Sequence, residues 1–329
     1  MDLLPLVLTI ALALLFSYTN GFHDAANAVA TSISTRALTP RIAVGLAAVA
    51  NLIGAFFGSR VTETVSVGIV DAGHVGLRLV AAALIGAIFW NFLTWWFGLP
   101  TSSSQALIGG LVGAALVCAT TVQWDLVIQR VLVPMIVSPM AGLVLGWLLM
   151  MLILRIFRHR SPGEVSRGFR YAQTLSATAM AFGHGMQDAA KVAGVVVLAL
   201  MASGHHTPGD DIAPLWVIVT SAVVMSLGTY AGGWRIMRTL GRRIAPLTPP
   251  QGFAAETGAA ITLVIATVFR APISTTHAIT AAIVGAASTR GVRQVRWSVG
   301  RDIALAWVAT LPGAAAAAAL AAVGLGLLG

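Results

Sequence analysis

Apolar runs of about twenty residues, long enough to cross a bilayer, recur from one end of the chain to the other, separated by short polar stretches rich in arginine. Residues 3–18 predict a first membrane helix, which meets the helix-breaking pair Asn20-Gly21. Beyond that break Asp24, Asn27, Thr31 and Ser34 recur at intervals of 3, 4 and 3, which lays one polar stripe along a helix. Further spans are predicted at 42–57, 77–97, 105–119 and 127–157, the last kinked by Pro134 and Pro139. The stretch 60–76, with Glu63, Asp71 and His74, reads as a loop or an interfacial helix, and 158–170 as a basic connector. The order then repeats. Residues 171–202 form a span broken at Gly183-His184-Gly185, 214–230 a plain span, 234–250 a basic, Pro-rich loop, 253–269 and 278–287 two apolar segments, and 303–328 the last span.

Two motifs occur twice, in the same order. Gly21-Phe-His-Asp-Ala-Ala-Asn27 matches Gly185-Met-Gln-Asp-Ala-Ala-Lys191, an offset of 164 residues. The run from Pro100 to Ala114 aligns without gaps on Pro272 to Ala286, an offset of 172. Such duplication marks many transporter folds. If each half holds a broken span, a plain span, a hairpin and a final span, each crosses an odd number of times, and the halves are inverted relative to each other. The expected fold is an all-α integral membrane protein of two inverted repeats, 1–157 and 171–329, with broken helices and Pro-Ser/Thr-tipped hairpins, joined by the connector 158–170.

Charge sets the orientation. The net charge of +9 would suggest nucleic acid in a water-soluble chain, but here the arginines sit between apolar spans and report topology instead. With both termini outside, fifteen arginines fall inside and two outside, and the central basic loop is cytoplasmic in the plasma membrane. The single Cys118 excludes an internal disulfide and a cysteine-based metal cluster. Nothing calls for a cofactor or a resident metal. The first span lacks a basic leader and a small-residue cleavage pattern, so it reads as a membrane helix, not a signal peptide.

An ionisable side chain in hydrocarbon costs roughly 3 kcal/mol on insertion scales, so Asp24 and Asp188 are functional candidates by default. Carboxylates repel a bare anion; they call for cations, whether protons, sodium ions or basic partners. Asn27 stands three residues after Asp24 and can share a cation with it. Lys191, the single lysine of the chain, stands three after Asp188, which leaves a simple buried ion pair open as well. Glu256 is a third acid in apolar context, a further cation ligand or the partner of an arginine. Proline followed by hydroxyl residues reads as a tip between two short helices. Ser102, Ser103 and Ser104, like Ser274, Thr275 and Thr276, put hydroxyls beside the free N–H groups of a helix start, which together make an anion site. Simple helix capping is the alternative. His23, His184 and His277 stand next to these motif positions; a lone histidine reads first as a packing residue, but these, His23 and His277 above all, are candidates to carry protons.

The segments 21–30, 100–109 and 272–278 resemble the signature segments of the PiT family of inorganic phosphate transporters, and the likeness covers essentially the whole chain. The resemblance implies a cation-coupled phosphate symporter with inverted repeats that assembles as a homodimer. It implies that Ser102, Ser103, Ser104, Ser274, Thr275 and Thr276 surround phosphate, and that Asp24, Asn27, Asp188 and its neighbour Gln187 serve the coupling cation, Na+ or H+. The chain departs from the family pattern at Gln187, where Asn is usual, and at Gln105, where His is usual. His23 before Asp24 is similar to bacterial members, several of which use protons. Sulfate permeases of the same family are the nearest alternative. A passive anion channel leaves the paired acids unexplained. An intramembrane hydrolase needs no mirrored partner site, and the chain has neither a Gly-x-Ser-x-Gly elbow nor a His-Glu-x-x-His helix.

Overall fold

The structure, a computed structural model, describes residues 3–57, 70, 75–206, 213–269, 271 and 273–328. Glu63, Asp71 and His74 lie outside the described residues. In chain order the helices are α1 (Leu3–Ser34), α2 (Pro40–Ala55), α3 (Leu77–Phe97), α4 (Ser103–Val117), α5 (Trp124–Ile156), α6 (Pro162–Ala202), α7 (Leu215–Ala231), α8 (Trp234–Arg243), α9 (Pro249–Val268), α10 (Thr275–Ser288) and α11 (Trp297–Leu328). Among the described residues, six helices are long and apolar enough to cross a membrane, or seven if the bent pair α7 and α8 forms one span. Both predicted hairpins are present, α3 with α4 and α9 with α10, their tips at Pro100–Ser102 and Ile273–Ser274.

Neither predicted break in the long helices is found. Helix α1 runs unbroken through Asn20-Gly21, and α6 runs unbroken through 183–185. The glycines are notches for close crossing. A Cβ on Gly21 would stand 2.1 Å from the Met225 carbonyl oxygen, and one on Gly185 2.1 Å from that of Asn51. The crossing partners carry reciprocal notches: a Cβ on Gly228 would stand 2.2 Å from the Tyr18 carbonyl oxygen, and one on Gly54 2.1 Å from that of Phe182. So α1 crosses α7, and α6 crosses α2, backbone against backbone, the small-residue packing that brings helices together where no hydrophobic drive exists between them. Tyr18 and Phe182 are themselves related by the 164-residue offset, so the two crossings are copies of each other.

Two other segments differ from expectation. The stretch 234–243, read from sequence as loop, is helical: α8 continues α7 after a 56° bend at Gly232-Gly233. Gly232 takes a positive φ of 75°, which glycine adopts without strain. Ile236, Met237, Leu240 and Ile244 are buried along one face, a helical stripe masked in the sequence by the arginines between them. Helix α6 also begins well before residue 171. Ser161 caps it by accepting from the Glu164 N–H at 3.3 Å, and Pro162 occupies its first position. Residues 162–170 are therefore helix.

Each hairpin is clamped by a helix of the other half. Gly109 and Gly113 let α4 approach α11, with carbonyls of Leu311 and Ala315 at 2.4 and 2.1 Å from the Cβ positions. Gly142 and Gly146 let α5 approach α10 in the same way, 2.4 Å from the carbonyls of Ala278 and Ala282. One apolar cluster gathers around α3, α4 and α11 and a second around α9 and α10. Helices α1 and α6 pass from one cluster to the other. They run past each other in opposite directions: Asp24 faces His184, and seven to eleven residues later Thr31 and Thr35 reach the side chains around Ser176 and Gln173. The buried polar residues sit where these two helices pass between the clusters.

Candidate functional site

Both hairpin tips end at this buried place, and they are built alike. Ser102 accepts a hydrogen bond from the Gln105 N–H at 3.1 Å, and Ser274 accepts one from the His277 N–H at 3.1 Å. Those two hydroxyls are helix caps, as the capping alternative has it. The next residues, Ser103 and Ser104 on α4 and Thr275 and Thr276 on α10, open the helices. Their N–H groups have no acceptor within the helix, and their ends carry the positive pole of the helix dipole.

Asp24 receives hydrogen bonds from both tips: Ser103 donates to Oδ2 at 2.7 Å and Thr276 to Oδ1 at 3.3 Å. The His23 Nδ1 lies 2.8 Å from Asp24 Oδ1, and its Nε2 lies 3.3 Å from Thr94 Oγ1 on α3. Asn27 donates to Thr276 at 2.9 Å and to Thr275 at 3.3 Å, while its own Oδ1 is buried with no hydrogen-bond partner.

Asp188 is bound differently. Lys191 donates to its Oδ1 at 2.8 Å, and Thr275 donates to its Oδ2 at 3.4 Å. His184, one turn earlier on α6, places Nε2 3.0 Å from Asp188 Oδ2 and 3.9 Å from Asp24 Oδ2, near enough for charge but out of line for a hydrogen bond. Its other nitrogen meets Asn51 Oδ1 at 3.2 Å. One ligand atom from each of Asp24, His184 and Asp188 lies within 4.8 Å of the others. Asp24, His184 and Asp188 are buried to 1% exposure or less, so the site is closed from both ends.

The sequence between residues 20 and 318 matches the model of the phosphate transporter family. The chain belongs to that family. Members are transporters, not enzymes, and this one is an all-α, multi-pass membrane protein. A probable low-affinity inorganic phosphate transporter of Rhizobium meliloti is 45% identical over 318 residues, covering 96% of this chain and 95% of the relative. One of Bacillus subtilis is 40% identical, covering 98% of each. Among solved structures, a sodium-dependent phosphate transporter superposes with a TM-score of 0.89 at 26% identity, covering 98% of this chain and 99% of that one.

Within this phosphate transporter, not all predicted site residues meet. Asp24, Asn27, Asp188, His23, Ser103, Ser104, Thr275 and Thr276 share one hydrogen-bonded network, with Ser102 and Ser274 capping its edges. Gln187 turns away from it, donating to Thr267 at 2.8 Å and to the Ala271 carbonyl at 3.4 Å. His277 stacks on Trp307 with ring centroids 3.9 Å apart, and its Nε2 has no partner. Glu256 forms a second polar cluster. It accepts from Thr31 and Ser32 at 2.5 Å each, from Ser176, and from Gln173 at 3.4 Å, and among the described residues no arginine pairs with it. Thr31 lies seven residues past Asp24 on α1, about 10 Å along the helix axis. Sequence reasoning read Asn20 only as part of a helix break, and His184 only as one of three histidines beside the motifs able to carry protons. Asn20 Oδ1 lies 2.8 Å from the Ser103 Oγ and shares its one hydroxyl proton with Asp24. Both residues stand four before their aspartate and are related by the same 164-residue offset, a signal present in the duplication itself.

Proposed function

We propose that the chain imports inorganic phosphate in symport with a cation, Na+ or H+, by alternating access around this site. One observation carries the reading: two carboxylates from equivalent positions 164 residues apart meet each other and both hairpin tips in a closed, buried place. Helix starts and hydroxyls supply donors for a tetrahedral anion, and Asp24, Asn27 and Asp188 supply oxygens for the coupling ion. The neighbouring acids also favour phosphate over sulfate. Phosphate keeps at least one proton near neutral pH and can donate it to a carboxylate; fully ionised sulfate offers only repulsion, and a site built around a substrate donor rejects an analogue that lacks it. The sodium dependence of the solved relative supports Na+ as the coupling ion. Glu256, with its hydroxyl partners, offers a second cation position nearer the inner end of α1.

In proteoliposomes the purified protein is expected to take up phosphate saturably, with arsenate competing and sulfate competing poorly. Sodium and proton gradients imposed separately identify the coupling ion. Transport of sulfate without phosphate would overturn the reading.

The same reading places both termini outside and the connector 158–170 in the cytoplasm, with the halves 1–157 and 171–329 inverted. The opposite running of α1 and α6 supports it. Thr121 and Gly291 each lie a few residues beyond the second helix of their hairpin, and both are exposed. In a Cys118→Ala background, a cysteine at 121 is expected to react with an impermeant thiol reagent applied outside and one at 291 is not. Labelling of both from one side rules out inversion.

A further inference from the structure

The two halves of the site are equivalent in backbone and unequal in charge. Asp24 and Asp188 correspond, and three residues beyond each stands the residue that completes its surroundings, Asn27 in the first half and Lys191 in the second. The Lys191 ammonium lies in a cage of three oxygens: Asp188 Oδ1 at 2.8 Å, Ser104 Oγ at 2.7 Å and the Ile273 carbonyl at 2.7 Å. An ammonium has three donors and no acceptor, so the cage satisfies it completely. The three oxygens come from three separate elements, namely α6, the start of α4 and the tip before α10. A carboxylate, a hydroxyl and a main-chain carbonyl converging on one point also form the oxygen set that takes a hard monovalent cation. In the first half Asn27 stands at the position of the lysine, and Asp24 faces the His23 Nδ1 at 2.8 Å and no ammonium. There Asn27 is 1% exposed, and its Oδ1, within the same network as Asp24, is buried and has no hydrogen-bond partner among the described residues.

We propose that Lys191 is a tethered cation, which holds in the second half the position that a free coupling ion takes beside Asp24 and Asn27 in the first. The proposal rests on the symport reading above and sharpens it. Of the two duplicated positions, one is closed to solution cations, so this pair of positions takes up one coupling ion, and a second ion would have to bind elsewhere, as at Glu256. The ammonium also joins both hairpin tips to α6.

The test compares Lys191→Ala, which empties the cage, with Lys191→Met, which fills it with an apolar chain of similar length. Phosphate uptake and thermal unfolding of the purified proteins are measured over a range of NaCl, with choline chloride keeping ionic strength constant. Lys191→Ala is expected to lose uptake and stability without sodium and to regain both as sodium rises. Its sodium dependence should be steeper than that of the unmodified protein by about one unit of Hill coefficient, the increment set by one added site. Lys191→Met is expected to regain neither. The proposal is overturned if the Ala and Met variants respond alike to sodium in both measurements, or if Lys191→Ala keeps normal uptake and stability without it. Should the unmodified protein carry no phosphate, the symport reading fails, while the sodium-dependent stability of the two variants still decides the tethered cation.

Discussion

Asp24→Asn abolishes cation-coupled phosphate uptake and leaves the purified protein with nearly its normal unfolding temperature. The amide matches the carboxylate in size; of the two carboxylate oxygens that accept from Ser103 (Oδ2) and Thr276 (Oδ1) it keeps one, and its NH2 group donates to the other hydroxyl instead. What it lacks is the charge. A unit charge 4 Å from a cation at an effective dielectric constant near 20 contributes about 4 kcal/mol, roughly a thousandfold in cation affinity. Because Asn27 Oδ1 is neutral and unpartnered, no other group in the first half replaces that charge. Uptake of labelled phosphate under sodium and proton gradients, beside a thermal melt, checks both parts. Preserved cation-dependent uptake by the Asn variant would sink the proposed mechanism.

Asp188→Asn has a different expected outcome, although the two residues are copies. Lys191 is 3% exposed, and Asp188 is its one anionic partner within ion-pair distance among the described residues. Removing the carboxylate leaves the ammonium buried beside a hydroxyl and a carbonyl alone. Breaking a buried pair from one side costs about 3–5 kcal/mol. Uptake should disappear, and the unfolding temperature should fall well below that of Asp24→Asn. The double variant Asp188→Asn with Lys191→Gln removes the stranded charge and is expected to recover most of the stability and none of the transport. An Asp188→Asn protein that melts at the normal temperature would show that the pair carries no such energy.

The two hairpins with their proline and hydroxyl tips were legible in the chain because a local signal defines them. A run of apolar residues cannot continue as helix through Pro-Thr-Ser-Ser-Ser, and the hydroxyls that end one helix cap the next. The polar stripe from Asp24 to Ser34 was legible for a similar reason, since helical periodicity is written in spacing alone. The helix α8 was hidden because four arginines outweigh four buried apolar residues in any average, while the burial of Ile236, Met237, Leu240 and Ile244 depends on partners far along the chain.

By itself the sequence determined that this is a duplicated, all-helical membrane protein with two intramembrane aspartates and two hydroxyl tips, since hydropathy, repetition and turn chemistry are properties of short segments. Tertiary structure decided how those parts are used. Gly21 and Gly185 could signal a helix break or a helix crossing, and only the carbonyls of Met225 and Asn51, 2.1 Å from the missing Cβ atoms, select the crossing. Ser102 and Ser103 are neighbours of one type, yet one caps its own helix and the other reaches Asp24 across the molecule. Glu256 and Gln187, grouped with the aspartates by composition, were sent to other partners by the direction in which their helices present them. Lys191 could have been a simple ion pair with Asp188; its other two contacts come from hairpins of opposite halves, whose meeting depends on the packing of the whole fold and is written in no local stretch of the chain.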